Sequence, residues 1–391
     1  MRVVIAPDKF KGSLSAPEVA EHLATGLQAG FGQGIEATRI PVADGGEGTI
    51  DAAIGSGFTR RTTTVTGPLG EPVKADFAVR DQEAVIEMAA ASGLALLPEG
   101  PTSETAKTAT SIGTGELIRA ALDLGCRKII LGVGGSANTD AGAGVLQGLG
   151  AVFLDKDGNE LPGGGAALTE LETIDFSNFD VRVEATEFVL ASDVDNPLLG
   201  ASGAPAIFGP QKGATPDDVT ELDAAASHFV DVLAAATGQH AKYAAKAEGA
   251  GAAGGVGYIA IAALKAERRP GIDVVLEFTE LEQRLKGADL VITGEGSLDE
   301  QSLLGKTPMG VARAAARQGV PVIAVCGRST LSREQLTDAG FHTVHALTDL
   351  EKDVQKCIAE AGPLLEQLGK HIGVYLAERT GNLDNKEYLN V

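Results

Sequence analysis

The chain has 391 residues and a formal net charge of −21, with 44% hydrophobic but only 4% aromatic residues. Such an acidic surface repels nucleic acid and anionic membranes, and so few aromatic residues argue against a base-stacking platform. Three widely spaced cysteines, no signal peptide and no long apolar run predict a soluble cytoplasmic protein without disulfides or structural zinc.

Short apolar runs alternate with helical patterns at both ends of the chain. The first run, RVVIAP, is typical of a buried parallel strand, and it leads into a helix that Ser15 and Glu18 begin with a capping box. EATRIPVAD predicts a second strand, followed by a glycine loop that opens a helix. From about residue 289 the alternation resumes with strands DLVIT, PVIAVCG and HTVHAL, and it ends in a helical stretch broken at Pro363. We expect residues 381–391 to be poorly ordered.

The sequence pattern changes in the middle of the chain. Residues 58–88 are rich in Thr and Val with Gly-Pro turns, which predicts antiparallel hairpins. A hairpin at GAVFLDKDGNEL, strands at RKIILGV and EFVLASDVD and a long amphipathic helix follow. The pattern predicts a discontinuous α/β domain of doubly wound parallel type at 1–57 and 286–391, carrying an inserted mixed α/β domain at 58–285.

Polar groups follow nearly every predicted parallel strand. Ligands of open parallel sheets bind beyond the carboxyl ends of the strands. The strand-end groups are Asp8, Lys9, Lys11, Asp44, Ser136, Asn138, Asp140, Asp193, Asp195, Glu295, Asp299 and Arg328. Each one alone fits a helix cap or a turn, but their recurrence indicates a site. Asp193 and Asp195 share one strand face, which suits a shared magnesium ion or a general base, while the following Asn-Pro equally suits a turn.

Two glycine-rich segments are similar to known nucleotide-binding motifs. LVITGEGSLDEQSLLGKT resembles a P-loop, but Glu300 stands where that motif needs glycine, five positions before Gly305. GVGGSA with Asp155 fits a dinucleotide fingerprint, so an NAD(P)-dependent oxidoreductase acting on a small hydroxy acid is the alternative function. Against it, the glycines continue through Gly142 and Gly144, and Asp155 belongs to a predicted hairpin.

Eight segments together resemble the glycerate kinase type I family over nearly the whole chain. They are, in order, APDKFKGSLSA, PVADGGEGT, TSIGTGELI, GGSANTDAGAG, SDVDNPLLG with GPQKGA, GAAGGVGY and TGEGSLDEQSLLGKTPMGVA. The resemblance implies phosphorylation of D-glycerate by ATP with Mg²⁺, with 2-phosphoglycerate favoured over 3-phosphoglycerate as product. It also implies a flavodoxin-like domain interrupted by a second α/β domain, with the active site in the cleft between them. The sequence departs from the family in one segment, where the family pattern is GGSATNDGGAG. Here Asn138 and Thr139 stand in exchanged order, and Ala141 replaces a glycine.

Residue type and strand-end position, taken with the resemblance, give candidate roles for individual residues. The predicted catalytic residues are Asp193 as general base, Lys9 and Asp8; the substrate-binding residues are Lys11, Ser111, Ser136, Asn138, Asp140 and Lys212; the nucleotide-binding residues are Gly294, Gly296, Ser297 and Lys306; and the metal ligands are Asp44, Asp195, Glu295 and Asp299. Gly294 and Gly296 would let the backbone approach the ligand, and Lys306 would place a positive charge at a helix start. Which carboxylate is the base and which bind metal stays open.

Overall fold

The computed structural model describes residues 1–303 and 305–380, so the predicted disorder of 381–391 lies outside the described residues. The strands are β1 Arg2–Pro7, β2 Glu36–Arg39, β3 Thr59–Thr66, β4 Pro72–Arg80, β5 Glu83–Glu87, β6 Lys128–Gly132, β7 Val152–Leu154, β8 Thr173–Asp175, β9 Glu187–Ala191, β10 Glu267–Arg269, β11 Leu290–Leu298, β12 Val322–Ser329 and β13 Thr343–Ala346.

The α-helices are α1 Ala16–Phe31, α2 Thr49–Gly55, α3 Ala89–Ser92, α4 Ser103–Thr108, α5 Ile112–Asp123, α6 Ala143–Gly148, α7 Ala204–Phe208, α8 Pro216–Thr237, α9 His240–Ala244, α10 Val256–Ala262, α11 Gly271–Phe278, α12 Leu281–Leu285, α13 Glu300–Leu303, α14 Thr307–Gln318, α15 Arg333–Asp338, α16 Leu347–Leu350, α17 Val354–Ala359 and α18 Ala361–Thr380. Short 3₁₀ turns lie at Leu94–Leu96, Ala166–Glu170, Val181–Ala185, Pro210–Lys212 and Ala252–Gly255. No helix in the described part of the chain is long and apolar enough to span a bilayer.

The chain divides into two compact units. The first comprises Met1–Asp44, Asp51–Ser56 and the described residues from Ile272 onward, and the second comprises Gly45–Ile50 and Gly57–Gly271. This division differs from the predicted boundary at 285–286, because α12 and all of α11 but Gly271 belong to the first unit. Leu281 and Leu285 are buried there, and α12 packs on α14.

The first unit is built on a five-stranded, all-parallel sheet in the order β13-β12-β11-β1-β2. The apolar runs predicted from the sequence form its buried strands. On one face α1 and α18 pack closely together, and Val3 and Ile5 join Leu23, Leu27 and Leu365 in one core. Ser15 and Glu18 make the predicted reciprocal capping box at the start of α1. The strands of this sheet come from both ends of the chain, and their apolar side chains share one core.

Two details of the first unit differ from the sequence-based expectation. The strand predicted at DLVIT continues through the glycines to Leu298, because Ser297 still pairs with Arg328 on β12. The final helical stretch breaks at Glu360 instead of Pro363. Proline fits the first turn of α18, where its missing N–H has no intrahelical partner to lose.

The second unit holds a six-stranded mixed sheet in the order β10-β9-β6-β5-β4-β3. β3, β4 and β5 pair antiparallel, as the Thr- and Val-rich hairpins predict, and β5, β6, β9 and β10 pair parallel. The predicted hairpin after residue 150 forms locally: the N–H of Leu161 donates to the carbonyl oxygen of Phe153 at 2.8 Å, and Leu154 and Glu160 make an antiparallel bridge. The longer ladder of β7, however, is with β8. The partner strand lies outside the local window that predicted the hairpin.

Candidate active site

A cavity of about 510 Å³ lies at the carboxyl edge of the parallel sheet in the first unit. Its lining brings together most of the predicted residues of that unit. The carboxylates among its described lining residues are Asp8, Asp44, Glu295 and Asp299. The cationic side chains are Lys9, Lys11, Lys306 and Arg328, and Gly296 and Ser297 also contribute. Strands β1, β11 and β12 therefore deliver charged groups of both signs to one place.

Asp8 is a buried carboxylate at the end of β1. Its Oδ1 accepts the backbone N–H of Lys9 at 2.7 Å, and its Oδ2 accepts the hydroxyl of Thr307 at 2.6 Å. Burial, together with repulsion from Asp44, raises the pKa of Asp8 from 3.8 to about 7, although both hydrogen bonds act in the opposite direction. A carboxyl group with this pKa can take up or release a proton near neutral pH.

Glu295 reaches the cavity from β11, directly after Gly294. A Cβ atom on Gly294 would lie 2.0 Å from the carbonyl oxygen of Val325, so only glycine permits this close strand pairing. Burial raises the pKa of Glu295, and its Oε1 is buried without a hydrogen-bond partner among the described residues. An unsatisfied buried carboxylate oxygen is costly, so the position suits a ligand that supplies a donor or a cation.

Lys306 immediately precedes the 12-residue helix α14, and no side chain caps that helix N-terminus. The positive end of the helix and the ammonium group of Lys306 therefore lie at the same side of the cavity, an arrangement that suits an anion. Asp299 lines the cavity but also accepts the backbone N–H groups of Gln301 and Ser302, at 2.9 Å and 3.2 Å. Asp299 thus begins α13 in the way the ordinary capping interpretation predicts.

No preformed metal cage exists in the part of the chain that the structure describes. Within residues 1–303 and 305–380, no three side chains of the His, Cys, Asp or Glu type are grouped to hold a metal ion. Magnesium, however, usually takes only one or two protein carboxylates and completes its shell with water and substrate phosphates. The oxygen-rich lining, with the unpartnered Oε1 of Glu295, fits such a partial ligand set.

In the second unit, a buried network gathers four predicted substrate-binding residues. Asp140 is fully buried and accepts the backbone N–H and the hydroxyl of Ser111, each at 2.8 Å, the side-chain amide of Asn138 at 2.7 Å and the N–H of Gly142 at 3.0 Å. Lys212 is 1% exposed and donates from Nζ to the carbonyl oxygen of Asn138. Burial lowers the pKa of Lys212 from 10.5 to about 7, with Asp140 acting in the opposite direction. The network therefore fixes the shape of the GGSANTDAGAG loop.

The remaining predicted residues of the second unit have separate environments. Asp193 is exposed, two residues beyond β9, and its Oδ1 accepts the N–H of Gly271 at 3.0 Å. Asp195 forms an ion pair with Arg268, so its charge is already matched by a guanidinium group. Ser136 is buried in the loop after β6. The contact with Arg268 makes Asp195 a weaker candidate metal ligand than Glu295.

Sequence reasoning assigned no catalytic or binding role to two polar residues that hold cavity residues in place. Thr307 holds Asp8 through its hydroxyl group. Arg328 donates from Nε to the hydroxyl of Ser297 at 3.3 Å and so supports the extended end of β11. Both were visible in the sequence, Thr307 in the Gly-Lys-Thr run and Arg328 as a strand-end residue, but their partners are far away along the chain.

The loop that fits the dinucleotide fingerprint has a different structure. After β6 the chain runs irregularly until α6 begins at Ala143, so no helix starts at the fingerprint glycines. Asp155 lies in the turn after β7, where it accepts the backbone N–H groups of Asp157 and Asn159, each at 2.8 Å. Its carboxylate closes a surface turn instead of ending a parallel strand, which removes the basis for the oxidoreductase alternative.

Comparison with known proteins gives one consistent result. The model of the glycerate kinase family matches residues 3–377. A Bacillus subtilis (strain 168) glycerate kinase is 44% identical over 375 residues, which cover 95% of this chain and 97% of the relative. A protein of Escherichia coli (strain K12) named glycerate 2-kinase is 46% identical over 333 residues, covering 84% of this chain and 86% of the relative. The crystal structure of a Salmonella typhimurium LT2 protein, provisionally named glycerate kinase 2, matches with a TM-score of 0.83 and 40% identity, covering 97% of this chain and 99% of that one. The chain therefore belongs to the glycerate kinase family, and it is a phosphotransferase.

Proposed function

We propose that this phosphotransferase moves the γ-phosphoryl group of ATP to the hydroxyl group at carbon 2 of D-glycerate, which gives 2-phosphoglycerate. Its family membership implies glycerate kinase activity with ATP as donor. The choice of carbon 2 is supported by the Escherichia coli relative, which is named glycerate 2-kinase and is 46% identical.

The observation that carries the proposal is the position of the charged cavity in the parallel sheet. The order β2-β1-β11-β12-β13 corresponds to a flavodoxin-like sheet, in which ligands bind where the strand order reverses. That point here is the pair β1 and β11, where Pro7 lies opposite Gly294. The next residues, Asp8 and Glu295, therefore emerge side by side at the place where this fold binds its ligands.

Local positive charge is needed because the whole chain, with its net charge of −21, repels a polyphosphate. We assign the phosphate groups to Lys306 and the N-terminus of α14, with Lys9 and Lys11 as the further lysines that line the cavity. Phosphoryl transfer depends mainly on positioning and on neutralising charge, which is what these groups supply. Gly296 and Ser297 form the backbone surface between them.

Glu295 and Asp44 are the proposed magnesium ligands. Both line the cavity, and the buried Oε1 of Glu295 is unpartnered among the described residues. Magnesium bound there would neutralise negative charge on the transferred phosphoryl group. Asp299 is the proposed third carboxylate near the magnesium ion. We do not place it among the direct ligands, because its Oδ1 already accepts the N–H of Gln301 at the start of α13.

Asp193 remains the proposed acceptor of the substrate's hydroxyl proton, and the N–H of Gly271 orients its carboxylate. Ser136 is the proposed contact of glycerate in the second unit. Asn138, Asp140 and the buried Lys212 are proposed to act through the loop that they hold, since all three are nearly inaccessible to solvent. Asp8, held by Thr307, is proposed to position Lys9 at the phosphate end.

The test combines turnover with identification of the product. Purified protein, Mg-ATP and D-glycerate should release ADP, and omission of glycerate should stop the release. In proton-coupled ³¹P NMR, a phosphate on carbon 2 gives a doublet from the single vicinal proton, and a phosphate on carbon 3 gives a triplet. A triplet would reassign the hydroxyl group, and glycerate-independent ADP release would contradict the proposed activity.

A further inference from the structure

We propose that the apolar wall of the cavity, formed by Phe10, Leu347, Val354, Cys357 and Ile358, is the subsite for the purine base of the nucleotide. This inference rests on the proposed function, because it takes the charged end of the same cavity as the site of the phosphates. None of these five residues carries a charge, and all five line the cavity.

Two large apolar side chains on α17 are exposed in this wall. Val354 is 40% exposed and Ile358 is 41% exposed. They are four residues apart, so they lie on one face of the helix. Phe10, Leu347 and Cys357 are buried behind them, with exposures of 3%, 1% and 4%. The wall is therefore a contiguous apolar surface, with two side chains exposed to solvent and three buried. A contiguous apolar surface indicates a binding site, whereas a single exposed apolar residue does not.

The cavity has the size and the two-ended character of a nucleotide site. Its volume of about 510 Å³ falls within the range of small-ligand pockets. The lining contains both Lys306, which directly precedes α14, and the residues of the apolar wall. A nucleoside triphosphate combines the same two kinds of group, a polyanion and a flat base whose faces are apolar.

The wall is joined to the phosphate end through the loop that follows β1. The hydroxyl group of Ser13 donates to the carbonyl oxygen of Ile358 at 2.5 Å, which ties the loop to α17. The N–H of Phe10 donates to the carbonyl oxygen of Leu14 at 2.8 Å and closes the loop on itself. The loop that carries Lys9 and Lys11 thus also carries Phe10 of the wall and is hydrogen-bonded to α17.

The experiment separates the base from the phosphates by using a ligand that has no base. Ile358→Ala and Ile207→Ala form a matched pair, since Ile207 is 47% exposed but lies in the second unit and does not line the cavity. Each variant is titrated calorimetrically with Mg-ATP and with Mg-tripolyphosphate. We expect Ile358→Ala to raise the Kd of ATP about five- to tenfold, from the loss of part of one aliphatic side chain's contact, and to change the Kd of tripolyphosphate less than twofold.

Val354→Ala should give the same pattern, and Ile207→Ala should change neither ligand. The assignment of the base subsite is wrong if Ile358→Ala and Val354→Ala leave the Kd of ATP unchanged while Lys306→Ala raises the Kd of both ligands. The proposed function would still stand in that case. The assignment is also wrong if the α17 variants alter the mass measured by light scattering, since the wall would then be a contact between copies. Failure of the wild-type protein to release ADP with D-glycerate would reject the proposed function instead.

Discussion

Asp8→Asn is expected to stabilise the protein at alkaline pH while it lowers turnover about a hundredfold, because Lys9 loses the carboxylate proposed to position it. The folded chain buries this carboxyl group beside Asp44, and its pKa rises from 3.8 to about 7. The folded state therefore holds the proton more tightly than the unfolded state. The stabilisation that this gives is fully present below about pH 4 and is lost as the pH rises toward 7.

The size of the effect follows from the shift. About three pKa units correspond to about 4 kcal/mol lost by pH 8, as an upper bound. An amide does not ionise, but it weakens the hydrogen bonds that Asp8 accepts from Lys9 and Thr307, at a cost of about 1 to 2 kcal/mol. The net gain for Asp8→Asn at pH 8 is then about 2 to 3 kcal/mol, or roughly 5 to 10 °C in Tm for a unit of this size.

Differential scanning calorimetry at pH 4.5 and pH 8 measures this gain, and Asp338→Asn serves as the control because Asp338 is exposed in the same unit. We expect the Tm of Asp8→Asn to rise at pH 8 and to change little at pH 4.5. An equal change at both pH values would refute the argument, since the effect would then not come from ionisation of Asp8.

Three further substitutions test the proposed site and the strand that carries it. Lys306→Ala should raise the KM for ATP about 10- to 100-fold with partial rescue by Lys306→Arg, measured by ADP release, while Lys286→Ala, at an exposed position, should leave it unchanged. Asp193→Asn should lower kcat about 10²- to 10⁴-fold in a folded protein, and near-normal turnover would remove Asp193 as the base. Gly294→Ala should destabilise the protein by more than about 3 kcal/mol in thermal unfolding, because its Cβ would lie 2.0 Å from a carbonyl oxygen. Gly296→Ala, with its nearest contact at 3.3 Å, should cost far less, and equal losses for the two would show that strand pairing does not set the requirement.

The elements that were predicted correctly carry their signal locally. β1 is a short apolar run because it is covered on both faces, and that pattern is readable without any knowledge of its neighbours. α1 begins at Ser15 because Ser15 and Glu18 satisfy each other's backbone groups within four residues. α8 begins at Thr215 with Asp218 in the same way. None of these features depends on a distant part of the chain.

The features that were missed depend on distant partners. Glycine-rich residues 294–298 read as a loop, and only pairing with β12 makes them a strand. The hydroxyl of Thr307 meets Asp8 across 299 residues of sequence, and Ser13 meets Ile358 across 345. The strand-end rule found Asp8 and Glu295 because it needs only the direction of each strand. The apolar wall could not be found in that way, since α17 and the loop after β1 are brought together only by the folded sheet.

The acidic character of the cavity also bears on the form of nucleotide that it accepts. Asp8, Asp44, Glu295 and Asp299 stand among its lysines, so an uncomplexed polyphosphate meets repulsion as well as attraction. A divalent cation on the phosphates reverses the sign of the interaction with Glu295, whose Oε1 has no donor in the described structure. Under the proposed assignment, the carboxylates would favour the metal complex over free ATP, and Lys306 with the start of α14 would bind phosphate oxygens. On that proposal, a strongly acidic chain binds a strongly acidic ligand because a divalent cation accompanies the ligand.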